Sequence, residues 1–173
     1  MPDHDPERWL AEMRAGSDAM ARRRQRWLEE QAAEAATLRG LLHDLAESEE
    51  VVAIETTGSG THHGRLRGVG VDVAVLANPQ GHGLVLLATD DIELVRTAKP
   101  HLASDRGPTF DVTLQELLID QMAERAEVTV VTRSRGRHRG TLRSVGLDFV
   151  TVWRGANEPA VQIASSAIIA VLL

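Results

Sequence analysis

The chain has 173 residues, 43% of them apolar and 25% charged, with a net charge of −6. This is a globular composition with room for one ordinary domain or two small ones. Cysteine is absent, which excludes disulfides and thiolate chemistry, and the negative charge argues against nucleic-acid binding by the surface as a whole.

The opening "MPDHDPERW" is acidic and lacks the apolar segment of a secretory signal. The longest apolar stretch, the C-terminal "AIIAVLL", is too short to span a bilayer. The expectation is a cytoplasmic protein without a membrane partner. Residues 1–36 form an N-terminal arm, and 7–36 are rich in Ala, Glu, Arg and Gln, which favours a helix. Trp9, Leu10, Met13, Met20, Trp27 and Leu28 make a broken apolar stripe, interrupted at heptad positions by Ser17, Arg24 and Gln31. An amphipathic helix that packs on the rest of the chain or on a partner fits this pattern. The alternative, a nucleic-acid or membrane-surface helix led by "RRRQR" at Arg22, is opposed by Glu29, Glu30 and Glu34.

After the arm the chain repeats itself. "GTHHGRLRGVGVDV" at Gly60 returns as "GRHRGTLRSVGLDF" at Gly136, an offset of 76 residues. Held without a gap, the offset aligns residues 37–95 with 113–171, and 19 of those 59 positions are identical. Two copies of one structural unit are expected, at 37–97 and 113–173, with a linker at 98–112. Each copy opens with an amphipathic helix: Leu38, Leu41, Leu42 and Leu45 in the first, Leu114, Leu117, Leu118 and Met122 in the second. Thr37 and Thr113 are the expected N-caps. Short Val-, Ile- and Thr-rich strands follow, separated by glycines and polar residues.

"GSG" and "SRG" turn the first strand of each copy into the second. Gly64 and Gly140 fall inside the second strand, where glycine permits a sharp bend or a close backbone approach. Gly70 and Gly146 lie in the next turn, where they can take positive φ while Asp72 or Asp148 bonds a nearby amide. The third strand is apolar on both faces, as in a small closed barrel overlaid by a helix. The predicted class is therefore α+β, mainly β: a helical arm followed by two tandem five-stranded bent barrels, each preceded by a short helix. Units this small are marginal alone, so they are expected to pack on each other or on other chains.

The pattern resembles the Sm-like fold, especially its bacterial RNA-chaperone branch. The resemblance is carried by Gly64, Leu66, Asp72, Val73, Val75, Val85, Ile92 and Val95, and by Gly140, Leu142, Asp148, Phe149, Val150, Val152, Val161, Ile168 and Val171. It implies SH3-like barrels that associate through edge strands. The layout also resembles a family of actinobacterial tandem small-barrel proteins, whose members often carry the label of Fis-type transcriptional regulator; this sequence has no helix-turn-helix pattern. The lysine–histidine pair that marks RNA binding in the chaperone branch is absent, and Asp90 and Asp91 occupy that place in the first copy.

Chemistry-bearing motifs are few. His62, His63 and His82 are scattered loop histidines without the helical i, i+4 pairing of a zinc site. No Walker loop, nucleophile elbow or dinucleotide fingerprint occurs. The expectation is a non-enzyme without cofactor or metal: an assembly or adaptor module that self-associates and binds a protein partner. The alternative is an RNA- or DNA-binding regulator. Arg133, Arg135, Arg137, Arg139 and Arg143 follow one another without an acid between them, and Phe149 and Trp153 are available for stacking on bases. Arg139 and Arg143 are expected on one outward strand face.

Overall fold

The computed structural model describes residues 6–78, 83–101, 103–156 and 158–173; in the first helix the side chains of 6–13, 15, 16 and 19 lie outside the description. Helix α1 spans Pro6–Ala35. Every described side chain of α1 is exposed, including Met20, Trp27 and Leu28. The part of the arm that can be described therefore does not pack on the rest of the chain. Trp9, Leu10 and Met13 lie outside the described side chains.

The 76-residue offset governs everything after the arm. Helix α2, Leu38–Ser48, leads into β1 (Val51–Thr56), β2 (Gly60–Val69), β3 (Val73–Ala77), β4 (Leu84–Ala88), a 3-10 turn (Thr89–Asp91) and β5 (Ile92–Arg96). Helix α3, Leu114–Ala123, leads into β6 (Glu127–Thr132), β7 (Arg137–Val145), β8 (Phe149–Trp153), β9 (Val161–Ala164), a 3-10 turn (Ser165–Ala167) and β10 (Ile168–Leu172). Even the irregularities repeat. The register slips between Leu66 and Gly68 and again between Leu142 and Ser144. The left-handed residues that follow the two helices are Glu49 and Arg125, both at φ 53°.

Both helices start where the threonines predict. The Thr37 side chain accepts from the Gly40 amide, and Thr113 forms a full capping box with Glu116. Those two hydrogen bonds, from the Thr113 amide and hydroxyl, hold the Glu116 carboxyl below its ordinary range. Leu42 and Leu45 of α2 are fully buried, as are Leu114 and Leu118 of α3 to within a few per cent. Such burial stabilises by about 1.5–3 kcal/mol per side chain relative to exposure.

The strands do not form two closed barrels. They form one continuous ten-stranded antiparallel sheet in the order β5-β1-β2-β3-β4-β10-β6-β7-β8-β9. Within the first repeat, β5 pairs with β1, and β4 pairs with β3 on one edge while its other edge has no partner from its own repeat. The partner of β4 is β10 of the second repeat, with Leu87 opposite Ala170, Leu86 opposite Val171 and Val85 opposite Leu172. This corrects the closed-barrel expectation. The three-residue 3-10 turn redirects the chain, so the fourth and fifth strands of a repeat separate to opposite edges.

The junction mixes the two cores. Val131, Ile169 and Ala170 of the second repeat pack with the first repeat's Leu42, Ile54 and Leu76. Val73, Val75 and Leu86 of the first repeat pack with the second repeat's Leu114, Val130 and Val152. This exchange explains a difference the repeat alone does not: β3 is buried on both faces over Val73–Leu76, whereas β8 is buried on one.

Two glycine expectations divide. A Cβ on Gly64 would strike the Ala77 carbonyl oxygen, and one on Gly140 the Trp153 carbonyl oxygen. The adjacent strand approaches that closely because of the bulge. Gly70 and Gly146, by contrast, are not at positive φ. Each donates its amide across the turn at 2.7 Å, to Val73 O and Phe149 O, and close packing against Val112 O and Phe110, or against Phe149, is what excludes a side chain there. Gly64→Val and Gly140→Val should each lower stability by about 1–3 kcal/mol through overpacking. Urea unfolding of the two variants measures this, and wild-type midpoints in both would contradict it.

Candidate functional site

The β6–β7 hairpin distributes the five arginines of the basic strip over different tasks. Arg133 stands at the end of β6 and reaches back to the first repeat. Its Nε and Nη2 each lie 3.0 Å from an oxygen of Asp91, a two-point carboxylate clamp. Asp91 is 4% exposed and sits in the 3-10 turn between β4 and β5. The carboxylate expected to repel phosphate therefore neutralises the first arginine of the strip.

Arg135 lies in the hairpin turn at φ 65°. Its aliphatic stem lies beside Gly58 of the β1–β2 turn, so the two hairpin tips meet across the junction. Gly58 itself is at φ 73°, which a glycine adopts without cost. Arg137, Arg139 and Arg143 project from the exposed side of β7, which agrees with the expected outward face. Arg139 is paired with Glu127 at 3.0 Å, and the Arg143 guanidinium lies 4.5 Å from the centre of the Trp153 ring. Among the described residues, only Arg135 and Arg137 of the five have no side-chain partner.

Beside Arg137 is a histidine relay. Thr56 Oγ1 donates to Ser59 Oγ at 2.9 Å, and Ser59 Oγ lies 2.6 Å from His62 Nε2. Burial, then the charge of Arg137, then His63, hold the His62 pKa below the ordinary histidine value. Ser59 and His62 thus share one short hydrogen bond. His62 therefore makes a side-chain hydrogen bond within the β1–β2 hairpin. His63 is exposed, and His82 lies outside the described residues.

The aspartates of the two repeats differ. Asp72 Oδ1 accepts from the Leu114 amide at 2.7 Å and so caps α3 across the junction, not within its own turn. Asp148 makes no such bond among the described residues and is exposed. Around Asp72 lies a cleft of about 220 Å³ lined by Leu114, Gln115, Val145, Val150 and Ser165. A second hollow of about 140 Å³ shares Asp72, Leu114, Ser165 and Ser166 with it and extends to Asp90, Asp91 and Arg133. No histidine lines either hollow; the acidic groups beside Ser165 and Ser166 are Asp72, Asp90 and Asp91.

One cluster was missed by the sequence reading: His43, Asp44 and Glu47 on α2, whose ligand atoms lie within 4.8 Å of one another. The i, i+4 spacing of His43 and Glu47 was the available signal. The cluster is already engaged by the linker. Asp44 accepts from Ser104 N and Oγ at 2.9 and 3.1 Å, and Arg106 Nη1 lies 2.8 Å from Glu47. It straps residues 104–106 to α2. A second strap joins Glu50 to His101 at 2.7 Å, and that hydrogen bond leads the effects holding the Glu50 carboxyl below its ordinary range.

No protein-family model matches this chain, and no curated protein matches it as a relative. Among the described residues, no helix is long and apolar enough to cross a membrane.

Two measurements follow from the geometry. Arg133→Ala leaves Asp91 buried without its cation and should cost about 1–3 kcal/mol, the price of an unsatisfied charged group. Asp91→Asn should cost less, and equal losses by denaturant titration would place the stabilisation elsewhere. Because the folded state depresses the His62 pKa, its contribution is complete above the unfolded value of about 6.5. It is lost as pH falls through the lower folded value. Thermal unfolding between pH 7.5 and 5 should therefore drop more steeply in wild type than in His62→Gln; parallel slopes would exclude this role.

Proposed function

We propose that the protein is a non-enzymatic assembly or adaptor module that self-associates and presents its helical arm to a protein partner. One observation carries the reading. The repeats are joined by strand pairing of β4 with β10 and not by closure of each repeat on itself. A unit that completes its sheet with a neighbour's fifth strand is built for association. The unpartnered exposure of Met20, Trp27 and Leu28 on α1 supports a role for the arm in binding protein.

A second reading, a nucleic-acid-binding regulator, is favoured by Arg135 and Arg137. Both are exposed and without a side-chain partner among the described residues, and Arg137 is close to His62. Phosphate contacts there would be few, so binding would be modest and would fall with salt. Arg133, Arg139 and Arg143 would have to give up Asp91, Glu127 and Trp153 before contributing.

Light scattering at about 10–100 µM, where weak interfaces fill, should give a mass above that of one chain. A strict monomer throughout that range would refute self-association. Titration of labelled single-stranded RNA and duplex DNA at low salt tests the second reading. Binding that Arg135→Ala/Arg137→Ala abolishes would favour it, and no binding by wild type would remove it.

A further inference from the structure

Helix α2 carries a buried polar atom with nothing to bond. His43 Nδ1 is shut off from solvent and has no hydrogen-bond partner among the described residues. Such an atom is uncommon in a native protein, and a water or an ion is the usual group that completes it. What faces it here is specific. Glu47 Oε1 lies 3.8 Å away and Asp44 Oδ1 4.0 Å away. Both distances are too long for a hydrogen bond, yet ligand atoms of all three side chains lie within 4.8 Å of one another. An ion about 2.0–2.2 Å from each donor needs only a small inward movement of the three. We propose that His43 Nδ1, Asp44 and Glu47 bind a divalent transition-metal ion of the zinc type. Such a site is independent of self-association and departs from the metal-free expectation of the sequence.

The donor set selects the class of metal. An imidazole nitrogen with two carboxylate oxygens suits zinc, whereas magnesium and calcium take oxygen ligands. Three protein donors leave the fourth tetrahedral position to water. The linker holds both carboxylates from behind. Asp44 Oδ2 accepts from the Ser104 amide at 2.9 Å, and Oδ1 accepts from the Ser104 hydroxyl at 3.1 Å. Arg106 Nη1 donates to Glu47 Oε2 at 2.8 Å, which leaves Oε1 turned to His43. Contacts of this kind orient metal ligands and fix their geometry. Arg106 Nη1 also lies 4.0 Å from Asp44 Oδ1. Two carboxylates still outnumber one guanidinium, so the cluster attracts a cation.

The second repeat supplies an internal comparison. Under the 76-residue offset, Ile119, Asp120 and Ala123 of α3 stand where α2 has His43, Asp44 and Glu47. Helix α3 buries Leu114 and Leu118 without a histidine or glutamate at those places, and Ile119 is exposed. The helix-on-sheet packing therefore does not require His43 or Glu47. They occur on the copy that the linker straps, where Ser104 and Arg106 complete their surroundings. A metal held there would fasten α2 in the orientation in which the linker meets it.

The test uses the full chain, stripped of metal with a chelator and titrated with zinc by calorimetry. One zinc ion per chain is expected, and zinc in excess should raise the Tm, because it binds the folded state. His43→Ile and Glu47→Ala install the second repeat's own residues. Each should weaken zinc binding at least ten-fold and remove the zinc-dependent rise in Tm, with the urea midpoint in chelator reporting that the variant is folded. His62→Gln/His63→Gln should bind zinc as wild type does. Magnesium at about 1 mM, where weak oxygen sites fill, should not displace zinc. No zinc binding by wild type at about 100 µM overturns the proposal. So does wild-type affinity in either folded α2 variant, which would place the metal on other side chains. Loss of binding in His62→Gln/His63→Gln, or displacement by magnesium, would equally reject a site centred on His43.

Discussion

The antiparallel pairing of β4 with β10 is the contact on which the rest of the structure depends. It turns two five-stranded units into one sheet, and it moves apolar side chains of each unit into the other's core. Around it gather the polar contacts that cross the repeats. Asp72 caps α3, Arg133 clamps Asp91, and the β1–β2 and β6–β7 tips meet at Gly58 and Arg135. A repeat of roughly 60 residues buries too little surface to be stable with ease. Here the deficit is met by sharing a core.

This arrangement also breaks the equivalence of the repeats. Once β4 is paired, the first repeat keeps β5 as its free edge and the second keeps β9. Selection for solubility then acts differently on positions that began as copies. Glu93 and Arg96 stand on the free edge strand β5 with Glu55 on β1 beside it, whereas Ile169 and Leu172 stand on the seam strand β10 with Val131 on β6 beside it. The same divergence explains the basic strip. Three of its five arginines are engaged: Arg139 with Glu127, Arg133 with Asp91, and Arg143 on the Trp153 ring. A run of one charge in the sequence became a set of local pairings in space.

The linker does more than connect. Residues 101 and 103–112 run back along the first repeat. His101 meets Glu50, Ser104 and Arg106 bind α2, and Thr109, Phe110 and Val112 dress the β2–β3 turn. A segment read as a spacer is thereby part of the first repeat's packing. Its path against Gly40, Gly68 and Gly70 requires that none of those glycines carry a side chain.

Much of this was legible in the sequence, for reasons of local physics. An ungapped offset carries the same local pattern twice, so the two sets of helices, strands and bulges agree to within one residue at their ends. Thr37 and Thr113 announce helix starts because a hydroxyl at that position satisfies an orphan amide whatever lies beyond it. Gly64 and Gly140 mark a close strand approach for the same local reason. What the sequence alone did not determine is which edge meets which. The fifth strand of either repeat carries the alternation that pairs with the first strand, and either fourth strand is a plausible partner for either fifth. Only the tertiary structure decided for β4 with β10, since pairing depends on which faces are apolar on both sides once the chain has turned through its linker. The partners of Asp72 and Arg133 were decided there too, because each lies about 42 residues away, beyond the reach of any local pattern.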